Sequence, residues 1–201
     1  MARRSDHSRA ELESLIVTEG HRQMAEVGFA RFSAREVAKR IGYSIGTLYN
    51  VFGSYDLLIL AINGRTMTLW ADHLRAHLQQ DGGDRLAVLV RGYFDFARDN
   101  YNAWSAIYDH RLPPGEQPPE WYGVQRAELT GVVVEEIANV LPLPMRDQAP
   151  ALARSLVASV HGHCVFALNG TFAMLGETDP QAAALARVRE AVAAASRWVR
   201  I

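Results

Sequence analysis

Residues 33–52, SAREVAKRIGYSIGTLYNVF, constrain the fold of this chain more than any other stretch. They predict two short helices joined by a tight turn. Ser33 is an N-cap, and Glu36 three residues later completes a capping box for the first helix. Gly42 supplies the positive φ that a chain needs as it leaves a helix, and Ser44 caps the second helix. The stretch is therefore expected to be helical on both sides of a sharp turn.

The apolar pattern of these two helices separates an inward face from an outward face. The inward residues follow helical spacing and are Val37, Ala38 and Ile41 in the first helix and Leu48, Val51 and Phe52 in the second. The residues left outside are Thr47, Tyr49 and Asn50, with Ile45 and Gly46 at the start of the second helix. This is the layout of a helix-turn-helix, in which the N-terminal part of the second helix enters the major groove of DNA.

Residues 33–62 resemble the DNA-binding signature of the TetR/AcrR family of bacterial transcriptional regulators. The matching residues are Phe32-Ser33, Arg35-Glu36-Val37-Ala38, Ile41-Gly42, Gly46-Thr47-Leu48-Tyr49, Phe52 and Leu57-Leu58. The resemblance covers about a quarter of the chain, and the remainder matches in length and helical pattern. It implies a homodimeric regulator, most often a repressor, that binds a palindromic operator and is released by a small organic effector.

The resemblance also implies roles for individual residues. Thr47 and Tyr49 match positions that contact phosphates, Ile45, Gly46 and Asn50 match positions near base edges, and Arg35 matches a frequent DNA contact. With Ser33, Ser44 and Tyr55, these residues form the predicted DNA-binding set. Hydroxyl and guanidinium groups suit phosphate oxygens, and an asparagine amide suits adenine. Tyr55 stands where the family often has a lysine, so we expect a shallower dependence of DNA affinity on salt.

The rest of the chain predicts an all-α protein, because no segment shows convincing alternation of apolar and polar residues. A first helix should run over about 8–27, and a connector helix over about 54–79, capped by Ser54. Further helices are expected at about 84–100, 102–110, 120–140, 147–175 and 180–200. We place a DNA-binding domain at residues 1–53 and an effector-binding and dimerisation domain at 54–201.

Composition agrees with a protein that docks DNA with one end. The net charge is −1, yet residues 1–50 hold eight basic residues against six acidic ones. Arg3, Arg4 and Arg9 either reach the DNA or belong to a solvated terminus. A single cysteine excludes an intrachain disulfide. No apolar run follows the early arginines, so we expect no signal peptide. No uncharged stretch reaches membrane-spanning length, so we expect no membrane-spanning segment. The protein is therefore expected to be cytoplasmic.

Aromatic and polar residues in the second half of the chain suggest a pocket for a small organic effector. The predicted ligand-binding residues are Tyr101, Trp104, Tyr108, His110, Trp121, Tyr122, His161, Cys164, Phe166 and Asn169. Each of them alone is more often an ordinary core residue. His161 and Cys164 share a helix face, but two ligands without a third make a weak metal site. We therefore predict no metal and no cofactor.

The last two predicted helices, within about 147–200, are rich in small residues and indicate an intersubunit face, which the family uses for dimerisation. The alternative is that they complete the core of a monomer. No catalytic motif with a recognisable spacing is present, so we predict no enzyme activity. Two other functions stay open: a helical enzyme or small-molecule-binding protein with a vestigial DNA-binding head, and a DNA-binding protein without an effector.

Overall fold

The computed structural model describes residues 7–197, and over this range it confirms the all-α prediction. The α-helices are α1 (Arg9–Val27), α2 (Ala34–Arg40), α3 (Ile45–Phe52), α4 (Tyr55–Gln80), α5 (Arg85–Asp99), α6 (Tyr101–Asp109), α7 (Glu120–Val140), α8 (Ala149–Leu168), α9 (Thr171–Leu175) and α10 (Pro180–Arg197). Short 3₁₀ helices occupy Phe29–Arg31 and Leu143–Gln148. Arg3 and Arg4 lie outside the described residues.

The predicted starts of the early helices are confirmed by their hydrogen bonds. Ser8 and Glu11 form a reciprocal capping box at the start of α1. The Ser44 hydroxyl accepts the Thr47 N–H at the start of α3, and the Ser54 hydroxyl accepts the Leu57 N–H at the start of α4. These caps fix where each helix begins because they satisfy backbone donors that the helix leaves unpaired.

Only one of the two hydrogen bonds of the predicted capping box at Ser33 forms. The Ser33 hydroxyl accepts the Glu36 N–H at 3.3 Å, as expected. The Ser33 N–H, however, donates to Gln23 Oε1 at 2.9 Å, while the Glu36 carboxylate pairs with Arg40 at 3.4 Å. The buried Gln23 of α1 therefore replaces Glu36 in the box and joins α1 to the start of α2.

One long helix predicted over 147–175 is wrong, because the chain breaks it into α8 and α9. Gly170 adopts the left-handed conformation with φ +79°, and Asn169 Oδ1 accepts the Thr171 N–H at 3.0 Å. An Asn-Gly pair in an exposed position favours such a turn. The segment 143–148 before α8 is a 3₁₀ helix that buries Met145.

The described chain forms two compact units. The first unit comprises residues 7–69 and 100–126, and the second comprises 70–99 and 127–197. The core of the first unit is made by α1, α2, α3, α4 and α6 and contains Leu12, Ile16, Met24, Ala34, Val37, Ala38, Leu48, Leu58, Ile59, Ile62 and Ala106. Phe29 and Phe32, from the connection between α1 and α2, pack against it. The DNA-binding boundary at residue 53 stays a prediction.

The second unit is built mainly from α5, α8 and α10, which pack on one another. Its buried residues include Leu86, Val90 and Phe96 of α5 and Val188 of α10. The rings of Trp70 and Phe96 stack with centroids 5.2 Å apart. This interior is almost wholly apolar, and the hydrophobic effect stabilises it.

One described segment has the length and composition of a membrane-spanning helix. Leu143–Leu168 is long and apolar enough for this by length and composition, with a mean hydropathy of 1.3. Helix α8 lies within it and packs against α10 in the second unit. Core helices have the same composition, so the property carries no membrane assignment.

Candidate nucleic-acid interface

The recognition helix α3 is anchored to the first unit along one side. Leu48 is fully buried, and the half-buried Ile45, Val51 and Phe52 pack against the core of the first unit. At the end of α3, Arg9 Nη2 donates to the Val51 carbonyl oxygen at 3.1 Å. The early arginine Arg9 therefore holds this helix end instead of belonging to a solvated terminus.

The other side of α3 faces solvent, as the sequence pattern predicts. Gly46 and Asn50 are exposed, and the Tyr49 side chain is 37% exposed. The Thr47 hydroxyl lies 3.0 Å from the Ser44 hydroxyl and is held at the start of the helix. The helix thus presents an amide, a phenol and two hydroxyls on one rigid surface, which are groups that hydrogen-bond to phosphates and base edges.

Gly46 is not required by the fold of the chain itself. A Cβ at this position would meet Ser44 Oγ at 3.6 Å, which is an ordinary contact, and the backbone there has no positive φ. A glycine at this point leaves the surface of α3 flat near its N-terminus. Such a surface allows a close approach by another molecule.

The remaining predicted DNA-binding residues differ in how far they are committed to the fold. Arg35 on α2 is exposed and makes no ion pair within residues 7–197. Ser33 is half-buried and acts as an N-cap. Tyr55 packs its ring 6.3 Å from that of Phe32, and burial, with the nearby Tyr49 and Asp56, raises the pKa of its hydroxyl. Of these three residues, only Arg35 offers an uncommitted charge.

Arg40 shows a role that the sequence pattern did not reveal. Its guanidinium lies 3.2 Å from Glu19 and 2.8 Å from Glu26 of α1, and 3.4 Å from Glu36 of α2. Hydrogen bonds to Glu26 and Glu19 raise the pKa of Arg40. This network joins α2 to α1, so the Arg40 charge serves the fold of the head and is not free for DNA.

Five of the six predicted ligand residues of the first unit are aromatic rings, and burial, with the nearby Tyr108, raises the pKa of the Tyr122 hydroxyl. Trp104 lies between Tyr101 and Tyr108, with centroids 6.3 and 5.4 Å away. Trp121 and Tyr122 form an edge-on pair at 5.9 Å. The buried His110 instead has its Nε2 2.8 Å from Asp56 Oδ1 and joins the end of α6 to the start of α4.

The four predicted ligand residues of the second unit lie along the last part of α8. His161 Nδ1 is 2.9 Å from the hydroxyl of Tyr93 on α5, and burial lowers the pKa of this histidine. Cys164 is fully buried, and burial raises its pKa to about 12. Phe166 and Asn169 are exposed. Only His161 and Cys164 therefore point into the unit.

Near His161 the second unit contains an aliphatic cavity of about 40 Å³. Its wall combines Tyr93 with ten apolar residues, Leu74, Leu86, Leu89, Val90, Val133, Ile137, Leu156, Val157, Val160 and Val188. Pockets for organic ligands usually measure about 300–1,000 Å³. In this conformation the cavity is a small apolar space with one hydroxyl at its edge.

Within residues 7–197, no group of three or more His, Cys, Asp or Glu side chains is arranged to hold a metal ion. His161 and Cys164 share a face of α8, as their spacing indicates, but the polar partner of His161 is Tyr93. The low reactivity of a buried, protonated thiol agrees with an internal role for Cys164.

A capped, anchored α3 with an exposed polar face, preceded by α2 and a tight turn, defines a helix-turn-helix DNA-binding transcriptional regulator. Two family profiles match the chain: "Bacterial regulatory proteins, tetR family" over residues 16–62 and "Tetracyclin repressor-like, C-terminal domain" over residues 86–192. Together with the fold, these matches show that the chain belongs to the TetR family of bacterial regulatory proteins. No curated protein matches it.

Several solved structures share the fold. The candidate regulatory protein SCO4313 is 25% identical, with a TM-score of 0.67 over 90% of this chain and 96% of its own. A Rhodococcus sp. RHA1 protein of unknown function is 15% identical, with a TM-score of 0.70 over 98% and 100%. The multidrug binding protein EbrR, solved with imidazole, is 20% identical, with a TM-score of 0.63 over 92% and 96%.

Proposed function

We propose that this regulator is a homodimeric repressor that binds a palindromic operator through two copies of α3 and is released by a small organic effector. The observation that carries the proposal is the exposed polar face of α3 on a fully capped and anchored helix. Intact caps and a buried Leu48 argue against a vestigial head. Two recognition helices in one dimer would lie in successive major grooves of a two-fold symmetric site.

In this proposal the predicted DNA-binding residues divide into two roles. Thr47, Tyr49 and Arg35 hold the phosphates and set the register, while Asn50 reads a base edge. Tyr55 adds a hydroxyl but no charge. The flat surface at Gly46 supports a close approach of DNA to the start of α3.

The surface of α8 supports dimerisation through the last helices. Ser155, Ala158, Gly162 and Phe166 are exposed at helical spacing, so they form one stripe of mostly small residues. Only 22% of the most apolar window in Leu143–Leu168 is buried within the chain. Met174 and Leu175 of α9 are 83% and 68% exposed. A second subunit covering this apolar face would remove it from water.

The effector is proposed to act through the second unit. Tyr93 and His161 provide a hydrogen-bonding pair beside the aliphatic cavity, and burial lowers the pKa of His161. Since the cavity is only about 40 Å³, an effector of organic size must select a conformation in which it is wider. Differential binding to that conformation would lower operator affinity. A DNA-binding protein of this kind would work in the cytoplasm.

The test measures binding of the purified protein to the DNA upstream of its own gene. Fluorescence anisotropy reports the binding at two salt concentrations, and a duplex of scrambled sequence is the control. We expect tight, salt-sensitive binding of two subunits per site, with preference for the native sequence. Equal and weak binding to both duplexes would contradict a repressor that acts at its own promoter. Selection of bound genomic fragments would then show whether a distant operator exists.

A further inference from the structure

A groove of about 430 Å³ lies entirely within the first unit, beside the end of the recognition helix. Its volume is in the range of small-molecule sites. The walls come from four helices: Glu13 and Val17 of α1, Val51 and Phe52 of α3, Leu57, Ala61, Arg65, Thr68 and Leu69 of α4, and Trp121 and Gln125 of α7. Spacings of three and four residues on α1, α4 and α7 mean that each of these helices presents one face.

Two residues that line this groove carry polar atoms that lack a hydrogen-bond partner among the residues that the structure describes. They are Arg65 Nε and Gln125 Oε1, and both atoms are buried. Arg65 also makes no ion pair within the same range, and its charge, added to burial, lowers the pKa of His21. An unpaired buried donor or acceptor destabilises the folded state. A donor and an acceptor left unpaired in one groove therefore indicate a ligand that satisfies both.

Gly64 explains how the amide of Gln125 comes to lie beside Arg65. A Cβ at Gly64 would overlap the side-chain amide of Gln125, so only glycine lets that group lie against α4 at this point. Gly64 is buried in the interior of a helix, where glycine is less favourable than alanine. The close packing of α7 on α4 offsets the low helix propensity of this glycine.

From these observations we infer that the groove is a binding site for a small aromatic monocarboxylate that carries a hydroxyl group. The guanidinium of Arg65 pairs with the planar carboxylate, and the side-chain oxygen of Gln125 accepts a hydrogen bond from the hydroxyl group. Trp121, which is 42% exposed, and Phe52 supply apolar ring surface for the aromatic body. The groove also contains the negative charge of Glu13 beside the positive charge of Arg65, and the negative charge disfavours dianions.

A ligand in this groove contacts the residues that seat the recognition helix. Val51 and Phe52 end α3, Leu57 begins α4, and the two helix axes turn by 76° between them. Because a ligand here contacts one end of α3 and DNA contacts the other end of the same helix, the two binding events are linked, and each changes the affinity of the other. This last step rests on the proposed DNA-binding function, whereas the ligand site itself does not.

The experiment is isothermal titration calorimetry of the full-length protein with 3-hydroxybenzoate, whose hydroxyl is too far from its carboxylate for an internal hydrogen bond. The comparison is 3-hydroxybenzamide, which has the same shape without the charge. We expect one 3-hydroxybenzoate per chain and at least tenfold weaker binding of the amide. Arg65→Gln should weaken 3-hydroxybenzoate binding at least tenfold. The matched control is Arg75→Gln on the same helix, whose exposed guanidinium already pairs with Asp72 at 3.1 Å and should leave the affinity unchanged.

Equal affinities of the Arg65→Gln and Arg75→Gln proteins, or no saturable binding of 3-hydroxybenzoate to the native protein, would overturn the inference. The comparison of acid with amide needs no substitution, so it remains decisive even if Arg65→Gln unfolds. Operator binding without ligand is measured separately on the same samples. If the native protein showed no specific DNA binding, the proposed function would be contradicted. The ligand isotherm would remain an independent result.

Discussion

In the proposed function, Asn50 is the side chain that reads a base edge. It is exposed on α3 and lies one turn after Gly46, where the helix surface is flat. A carboxamide can form two hydrogen bonds with adenine, which discriminate by about 1–3 kcal/mol. Asn50→Ala should therefore relax base preference at one position of each half-site. Anisotropy with duplexes that vary one base at a time measures this, and an unchanged preference would show that Asn50 reads no base.

Tyr49 should contribute to affinity without contributing to sequence preference. Its hydroxyl is the only group removed by Tyr49→Phe, and a phosphate contact carries no base information. Loss of one hydrogen bond of about 1 kcal/mol should weaken binding roughly fivefold on specific and scrambled duplexes alike. The same anisotropy assay provides the comparison. A loss confined to the operator would instead give Tyr49 a role in base readout.

The packing of α1 on α4 depends on a close contact at Gly20, and an alanine substitution tests it. A Cβ at Gly20 would lie 2.5 Å from Cδ1 and 3.0 Å from Cγ1 of Ile62, which is fully buried. Overpacking costs about 1–3 kcal/mol, whereas alanine gains about 1 kcal/mol in helix propensity. Gly20→Ala should therefore lower the free energy of unfolding in urea by about 1 kcal/mol.

Gly131 of α7 is the matched control for this substitution. It lies in a helix and is exposed, and a Cβ there would meet nothing within 4 Å among the described residues. Gly131→Ala should raise the free energy of unfolding by about 0.5–1 kcal/mol. If both alanine variants were stabilised, the contact of α1 with Ile62 would not limit the packing of these helices.

The link between α1 and α2 predicts a dependence of stability on pH. Burial raises the pKa of Glu19, but hydrogen bonds from Arg22 and Arg40 outweigh burial and lower it below 4.5. The stabilisation is therefore present above the unfolded-state value and is lost as the pH falls through the lower folded-state value. Arg40→Met should lower the urea midpoint at pH 6, and the difference from the native protein should shrink towards pH 3.

Arg75→Met, on the exposed pair with Asp72, serves as the control and should change the midpoint little at either pH. A constant difference between the Arg40→Met and native proteins from pH 6 to pH 3 would contradict a role for carboxylate ionisation. It would leave only the packing of the Arg40 stem as the cause.

Two Asn-Gly pairs show what the sequence could and could not predict about the elements. Asn63-Gly64 lies inside α4, where both residues are buried and Asn63 Nδ2 donates to the Ala106 carbonyl oxygen at 3.2 Å. Asn169-Gly170 is exposed and ends α8. The dipeptide favours a turn in both places. Tertiary contacts decide the outcome, and a local pattern does not contain them.

The predicted and the unpredicted parts of the sites differ in the same way. The caps and the outward face of α3 depend on neighbours within a few residues, so the sequence predicts them. The groove depends on Arg65 and Gln125 meeting across two helices that are far apart in the chain. One signal was present: Arg65 is the single charged residue between Asp56 and Asp72. A charge kept in such an apolar helix indicates a partner or a ligand.

Operator recognition in the proposed function requires two subunits. Gly162 is exposed on α8 in the stripe of small residues, and a Cβ there would meet nothing within 4 Å in the described part of the chain. A larger side chain at this position should therefore spare the fold of one subunit. At the proposed dimer face, Gly162→Glu would bury an unpaired carboxylate, which costs about 3–5 kcal/mol.

Such a cost should raise the dimer dissociation constant at least about a hundredfold. Sedimentation velocity across a range of concentrations should then show monomers for Gly162→Glu and dimers for the native protein. Gly131→Glu is the control, since it places the same charge on an exposed glycine of α7 and should remain dimeric. The monomer should keep its weak, non-specific DNA affinity but lose the tight binding that needs both half-sites. If Gly162→Glu stayed dimeric with native operator affinity, the subunits would associate through another surface, and the exposed stripe of α8 would need a different explanation.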